Sequence, residues 1–151
     1  MKILSLHCDY IKFKPVEKAL KQAELTKEEE KEKRVDEALV IFTAVEASDS
    51  ENIVEEYVKN IKDIASQVKA KNIVLYPYAH LSSQLANPDF AIKILKEGEE
   101  KLKKEFKVTR APFGYYKEFE LKCKGHPLAE LSRSLGTEKS KEAGKEVMPE
   151  E

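Results

Sequence analysis

The sequence predicts an α/β domain: one mixed β-sheet layer, two main helices packed on it, and a short helix near the C-terminus. Three observations lead there. The run "ALVIFTAVE", Ala38 to Glu46, is continuously apolar and rich in β-branched residues over the length of one strand, as in a strand buried on both faces. Two later stretches repeat apolar residues at spacings of three and four, the period of amphipathic helices. Short β-rich runs separate and flank them, which gives the order β-β-β-α-β-α-β-β before the terminal helix.

Taken in order, Lys2 to Leu6 forms the first strand and ends in the polar cluster His7-Cys8-Asp9-Tyr10. A second short strand, Tyr10 to Lys14, is stopped by Pro15. Residues 16–34 culminate in "KEEEKEKR" and read as a solvated loop or frayed helix. After the central strand, Ile53, Val54, Tyr57, Val58, Ile61, Ile64, Ala65 and Val68 mark the first helix, and Ser48 with Glu51 offers a capping box. "NIVLYPY", Asn72 to Tyr78, is a strand broken at Pro77. Asn87 as N-cap and Pro88 in the first turn open the second helix, with a stripe through Ala91, Ile94, Leu95, Leu102 and Phe106. Lys107 to Arg110 is a strand, followed through Ala111-Pro112 by another that begins at Phe113. Gly125-His126-Pro127 turns the chain into the short helix, Leu128 to Leu135. The ordered domain is expected over 1–135, with 136–151 a polar linker or tail cut short.

With 151 residues, 41% hydrophobic and 36% charged, the chain suits one domain with a heavily charged surface. A net charge of -1 argues against a generally basic protein that coats nucleic acid. The lysine and glutamate bias, with no Trp, suits a thermophile surface laced with ion pairs. Cys8 and Cys123 fit neither a disulfide framework nor a zinc site, and read as reduced cysteines near the core. No long uncharged apolar run is present, so a cytoplasmic protein is expected.

Signatures for phosphate loops, metal pairs and nucleophile elbows are missing, and neither a metal nor a cofactor is expected. Candidate chemistry falls in three clusters. In "FGYYKEFELKC" one strand face reads Phe113, Tyr115, Lys117, Phe119, Leu121 and Cys123, so Lys117 is the single cation on an apolar face. An ammonium there is costly unless it is paired, neutralised or snorkelling, and parity alone leaves a site residue and a snorkelling one both open. In "YPYAHLSSQL", His80 follows a strand and a proline turn, where ligand-facing groups or structural histidines both occur. In "KGHPLAELSR", Glu130 reads either as a surface glutamate or as a group turned back towards the lysine strand, and His126 as a turn residue.

Together, "YPYAHLSS", "APFGYYKEF" and "CKGHPLAELSR" resemble the N-terminal editing domain of archaeal threonyl-tRNA synthetase, whose fold is that of the D-aminoacyl-tRNA deacylases. The resemblance runs from "HCDY" through Arg133. It implies hydrolysis of L-seryl-tRNA(Thr), with Lys117 and His80 in the catalytic set. Tyr116, Glu130, Val45, Pro77, Ala79 and Phe113 are then expected around the substrate. It further implies that the ribose 2′-OH assists the attacking water, that threonine is spared because its methyl disturbs that water, and that the chain forms a homodimer. The partner is the tRNA(Thr) 3′ end carrying serine. Class II synthetase motifs are absent, so the chain reads as an excised editing domain or a free-standing protein acting with a synthetase core. "HCDY" stands where the resemblance leads one to expect "HSDY", placing a thiol at position 8. A D-aminoacyl-tRNA deacylase and a non-catalytic tRNA-binding or dimerisation module are the competing readings.

Overall fold

In the computed structural model of the protein, residues 1–21, 23 and 25–136 are described. The expected polar tail from 137 onward lies outside them. One long strand organises the rest: β1, Lys2–Lys18, runs through both the short strands expected on either side of Tyr10. β2, Lys33–Ala44, lies antiparallel along one edge of it. Pairing with β2 ends at Phe13 opposite Lys33, so Pro15 leaves no gap in that ladder and the strand continues past it.

The other edge of β1 is shared by two strands in series. β6, Glu130–Ser134, pairs with Lys2–Leu6, and β5, Tyr115–Cys123, pairs with Cys8–Lys18. The short helix expected from Leu128 to Leu135 is therefore β6, and the correction has a non-local cause. The first five residues of β1 would otherwise carry an open row of N–H and C=O groups, and "ELSRS" closes it. Its alternation suits that edge. Leu131 and Leu135 pack towards the helices, and Arg133 on the same side donates to Asn60 at 2.8 Å.

Beyond β2 the sheet becomes parallel, through β3, Asn72–Pro77, and β4, Lys107–Arg110, giving the order β4-β3-β2-β1-β5. Parallel neighbours need crossovers, supplied by α1, Ile53–Val68, and α2, Pro88–Leu102. Asn87 caps α2 as expected, its Oδ1 accepting from Asp89 N at 2.8 Å. The Ser48 capping box does not form. α1 starts from Asn52, and its first N–H groups go to the carbonyls of Ser50, Glu51 and Asn52 instead.

Ala38–Ala44 is buried throughout, so the central strand divides two apolar clusters. Leu39 and Ile41 face the helices, against Ile73, Leu75, Tyr57, Ile61, Ile64 and Ile94. Each such side chain contributes about 1.5–3 kcal/mol on burial. Ala38, Val40 and Phe42 face the other way, with Cys8, Ile11, Phe13, Val74 and Tyr76. Among the described residues, neither α1 nor α2 contributes to that side. The sheet covers it by rolling: Phe119 on β5 lies three strands from Tyr76 on β3, about 14 Å on a flat sheet. Their ring centroids are 5.5 Å apart.

Candidate functional site

The roll creates an aromatic enclosure on the face away from α1 and α2, and its residues follow from strand parity. Val74 and Tyr76 share a face of β3, and the chain carries Tyr78 onto the same side just past Pro77. Phe42 meets Tyr76 at 4.9 Å and Tyr78 at 5.0 Å between centroids. Phe13 meets Tyr76 at 5.8 Å, and Phe119 closes over Phe42 at 5.9 Å. Burial of the Tyr76 hydroxyl raises its pKa, so it stays a neutral phenol.

Lys117 enters this enclosure from β5. Its Nζ lies 5.0 Å from the centroid of the Tyr76 ring, within cation–π range. It donates to the carbonyls of Pro112 at 2.8 Å and Tyr115 at 3.0 Å. Burial alone pulls its pKa down from 10.5 to about 8. The side chain thus folds back on its own strand's entry rather than snorkelling, and two of its three donors are used, both on neutral oxygens.

His80 sits on a single 3-10 turn, Ala79–Leu81, directly after Tyr78. Its ring packs edge-on to Tyr78 at 5.0 Å and is exposed. Tyr76 and Tyr78, at 6.3 Å from each other, therefore connect Lys117 to His80 without direct contact between the two. The turn is anchored to the end of β2: Tyr78 N donates to Thr43 O at 2.8 Å, and Ser82 Oγ donates to Glu46 Oε2 at 2.7 Å. Pro77 ends β3 and Ala79 starts the turn, both on this rim.

The remaining expected residues sit apart. Tyr116 alternates with Lys117 and is 60% exposed on the outer face of β5. Val45 and Phe113 pack into the helix-side cluster, so neither lies against the ring of Tyr76. Glu130 does not turn back towards Lys117. It stands exposed on β6 opposite Leu6, whereas Lys117 stands opposite Pro15. Those positions are nine steps apart on β1, about 30 Å along the strand. The helix that was to deliver Glu130 is a strand, and its register fixes the glutamate at the other end of the sheet.

Tyr76 and Tyr78 were not among the expected site residues. Their signal was present in "VLYPYAH", where positions 74, 76 and 78 share parity across Pro77. A second pair was also missed, His7 with His126, whose Nδ1 and Nε2 lie 2.8 Å apart where β5 turns into β6. Two surface hollows of about 390 and 420 Å³ both lie at the start of β2 and β3 and share Asn72, one around Arg34 and Lys107 and the other around His7, Lys69 and Lys124. None of the expected site residues lines either. Among the described residues no group of three or more His, Cys, Asp and Glu is arranged to hold a metal ion, and no helix is long and apolar enough to cross a membrane.

Residues 1–135 match the family described as the archaea-specific editing domain of threonyl-tRNA synthetase. The threonine–tRNA ligase of Thermococcus onnurineus is 51% identical over the whole chain, and that of Pyrococcus horikoshii is 51% identical over 99% of it. The threonine–tRNA ligase of Methanosphaera stadtmanae is 53% identical over 91%. The chain spans about a quarter of the length of these relatives, 25%, 24% and 23% respectively. Among solved structures, a c-Myc DNA unwinding element binding protein aligns with a TM-score of 0.67 at 10% identity, over 91% of this chain and all of its own. A probable eukaryotic D-amino acid tRNA deacylase aligns with a TM-score of 0.58 at 9% identity, over 87% and 98%. The fold is the deacylase-like one that the sequence motifs implied.

Proposed function

The chain belongs to the archaea-specific editing-domain family of threonyl-tRNA synthetase, and from that premise we propose that it hydrolyses the ester of L-seryl-tRNA(Thr), releasing serine and tRNA(Thr). The need for such a reaction is physical. Serine differs from threonine by one methyl, and a methyl or methylene in a binding pocket discriminates by only about 1–3 kcal/mol. A second site acting on the wrong product adds selectivity that binding lacks.

The observation that carries the reading is the state of Lys117. An ammonium buried against Tyr76 and bonded only to two carbonyls keeps one donor for an incoming acceptor. An ester carbonyl placed there gains a fixed positive charge as its oxygen becomes an oxyanion, in a site where water does not screen it. Water, assisted by the ribose 2′-OH of the terminal adenosine, attacks the carbonyl carbon. The ester C–O bond then breaks, leaving serine with a carboxylate and the ribose with its 3′-OH. His80 on the exposed rim contacts the substrate from the β3 side, and Tyr116 and Glu130 act on parts of the acceptor end farther out. We further propose that two copies pair through their sheets, with Val16, 64% exposed on β1, at the contact, and that the domain works joined to a synthetase catalytic core.

Release of amino acid from seryl-, threonyl- and D-seryl-tRNA(Thr) tests this directly. The wild-type chain is expected to clear the L-seryl ester and spare the threonyl ester, and Lys117→Met to lose the first activity. Clearance of only the D-ester would make the chain a D-aminoacyl-tRNA deacylase. Unchanged L-seryl hydrolysis in Lys117→Met, with weakened tRNA binding, would make it a binding module. Light scattering tests the dimer.

A further inference from the structure

We propose that Cys8 and Cys123 form a reversible cross-strand disulfide that fastens β5 to β1. The two residues face each other in the antiparallel register of β1 and β5. The backbone bond nearby runs from Lys124 N to His7 O, at 2.8 Å, between residues flanking the pair rather than within it. Cys8 and Cys123 are therefore a non-hydrogen-bonded pair, the narrow kind, with Cα atoms about 4.5 Å apart. That separation lies inside the range disulfides span, and the side chains of facing residues project to the same side of the sheet. The register shifts just after Cys8, before Tyr10. A bulge at that point increases local twist, which lets two facing sulfurs approach out of the flat-sheet orientation.

Neither thiol is committed elsewhere. Both are free, and their contacts are weak donations: Cys8 Sγ to Leu6 O at 3.6 Å, and Cys123 Sγ to Lys124 O at 3.6 Å and Ala129 O at 3.8 Å. They differ in access. Cys8 is fully buried and Cys123 half-buried. Burial and the neighbouring thiol push Cys8 up to about 12, and burial raises Cys123 as well. Cys123 is thus the first to react.

With a small-molecule disulfide such as oxidised glutathione, the Cys123 thiolate attacks one sulfur and expels a glutathione thiolate. The Cys8 thiol then loses its proton and attacks Cys123 Sγ, expelling the second glutathione. Two cysteine thiols are oxidised to one disulfide, and one glutathione disulfide is reduced to two thiols, which receive the two protons. A bridge across a narrow strand pair is strained, and strained bridges are readily reduced, so the reaction reverses.

The test incubates the folded chain with oxidised glutathione, alkylates the remaining thiols and maps the peptides by mass spectrometry without reductant. The expected result is one intramolecular Cys8–Cys123 linkage, no retained glutathione, and a thermal midpoint raised until dithiothreitol restores it. Formation is expected to accelerate as pH rises from about 7 to 9, as thiolate becomes available. Cys123→Ser, at the half-buried position, is expected to leave Cys8 alkylatable only after unfolding. Cys8→Ser is expected to stop at a single glutathione adduct on Cys123. Two separate adducts on the wild-type chain, a linkage between two chains, or full alkylation of both cysteines after prolonged oxidation would each overturn the proposal.

Discussion

The ammonium of Lys117 lies 5.0 Å from the centre of the Tyr76 ring and donates to two carbonyls of its own strand's entry, Pro112 and Tyr115. A cation so placed has given up water for partial charges only, which is poor for stability and useful for a developing oxyanion. Lys117→Met is therefore expected to lower kcat/KM on seryl-tRNA(Thr) by about 100- to 1,000-fold, in the range of losing one oxyanion donor. The same variant is expected to raise the thermal midpoint, because it removes a desolvated charge. Single-turnover deacylation and thermal unfolding on one preparation check both. A fall in both activity and stability would mean that Lys117 serves the fold.

The same lysine sets a pH window. Its pKa is about 8 in the folded chain and 10.5 ordinarily. Between those values the unfolded chain holds a proton that the folded chain has shed, so stability rises with pH across that interval. The contribution is complete above 10.5 and is lost as pH falls through 8, to a total of about 3 kcal/mol. Denaturant midpoints measured from pH 7 to 10.5 are expected to show the rise in wild type and not in Lys117→Met. Activity that depends on the charged form is expected to decline above pH 8.

Much of this arrangement was legible in the chain. The helices and the central strand announced themselves because burial on one face or two imposes a period, and Asn87-Pro88 marks a helix start by local chemistry alone. Lys117 stood out because strand parity placed it among Tyr115 and Phe119. What could not be read was decided at long range. "ELSRS" alternates well enough for a strand and is short enough for a helix turn, and only the open edge of Lys2–Leu6 selects between them. Pro15 reads as a strand end unless β2 is known to stop at Lys33. The rolling of the sheet, which brings Phe119 and Lys117 over Tyr76, accompanies two register shifts between β1 and β5; Pro15 marks the second, and the first, after Cys8, has no such residue.

His7 and His126 give a second pH dependence, of acidic range. Leu128 N donates to His126 Nδ1 at 3.2 Å, which assigns the His126 proton to Nε2 and makes His7 Nδ1 the acceptor at 2.8 Å. Burial first, then His126 and Lys124, lower the His7 pKa below 6.5, while Glu37 and Asp9 oppose them. As pH falls below 6.5 the unfolded chain takes up a proton that folded His7 refuses, so stability declines until the folded value is passed. His7→Gln is expected to remove that slope while costing about 1 kcal/mol at neutral pH. Urea midpoints between pH 7.5 and 5 in both proteins decide it.

Ser82 holds the turn that carries His80. Its hydroxyl donates to buried Glu46 at 2.7 Å and accepts from Gln84 N at 3.0 Å. Ser82→Ala is expected to cost about 1.5–3 kcal/mol, the range for a hydrogen bond to a charged group. It is also expected to lower kcat more than it raises KM, by loosening His80. An unchanged kcat with the full stability loss would make the contact structural only.

Gly114 is where the chain turns into β5, three residues before Lys117, and its conformation admits no ordinary side chain. Its φ is +82°, and an added Cβ would lie 2.9 Å from Ala23 Cβ and 3.2 Å from Leu20 Cδ1. The peptide is also pinned, its carbonyl accepting from Ala19 N at 2.8 Å and Leu20 N at 3.2 Å, so the turn has little freedom to shift. The left-handed region alone costs an L-residue about 1–2 kcal/mol, and the clash adds to it. Gly114→Ala is expected to destabilise the chain by about 2–4 kcal/mol, at the upper end for single substitutions. It is also expected to lower deacylation by displacing the Tyr115 carbonyl that Lys117 donates to. Gly125→Ala is the internal control, because a Cβ there meets nothing within 4 Å. It is expected to change stability by less than about 0.5 kcal/mol. Equal losses in the two variants, measured by urea denaturation, would show that chain flexibility and not the fixed turn at Gly114 sets the cost.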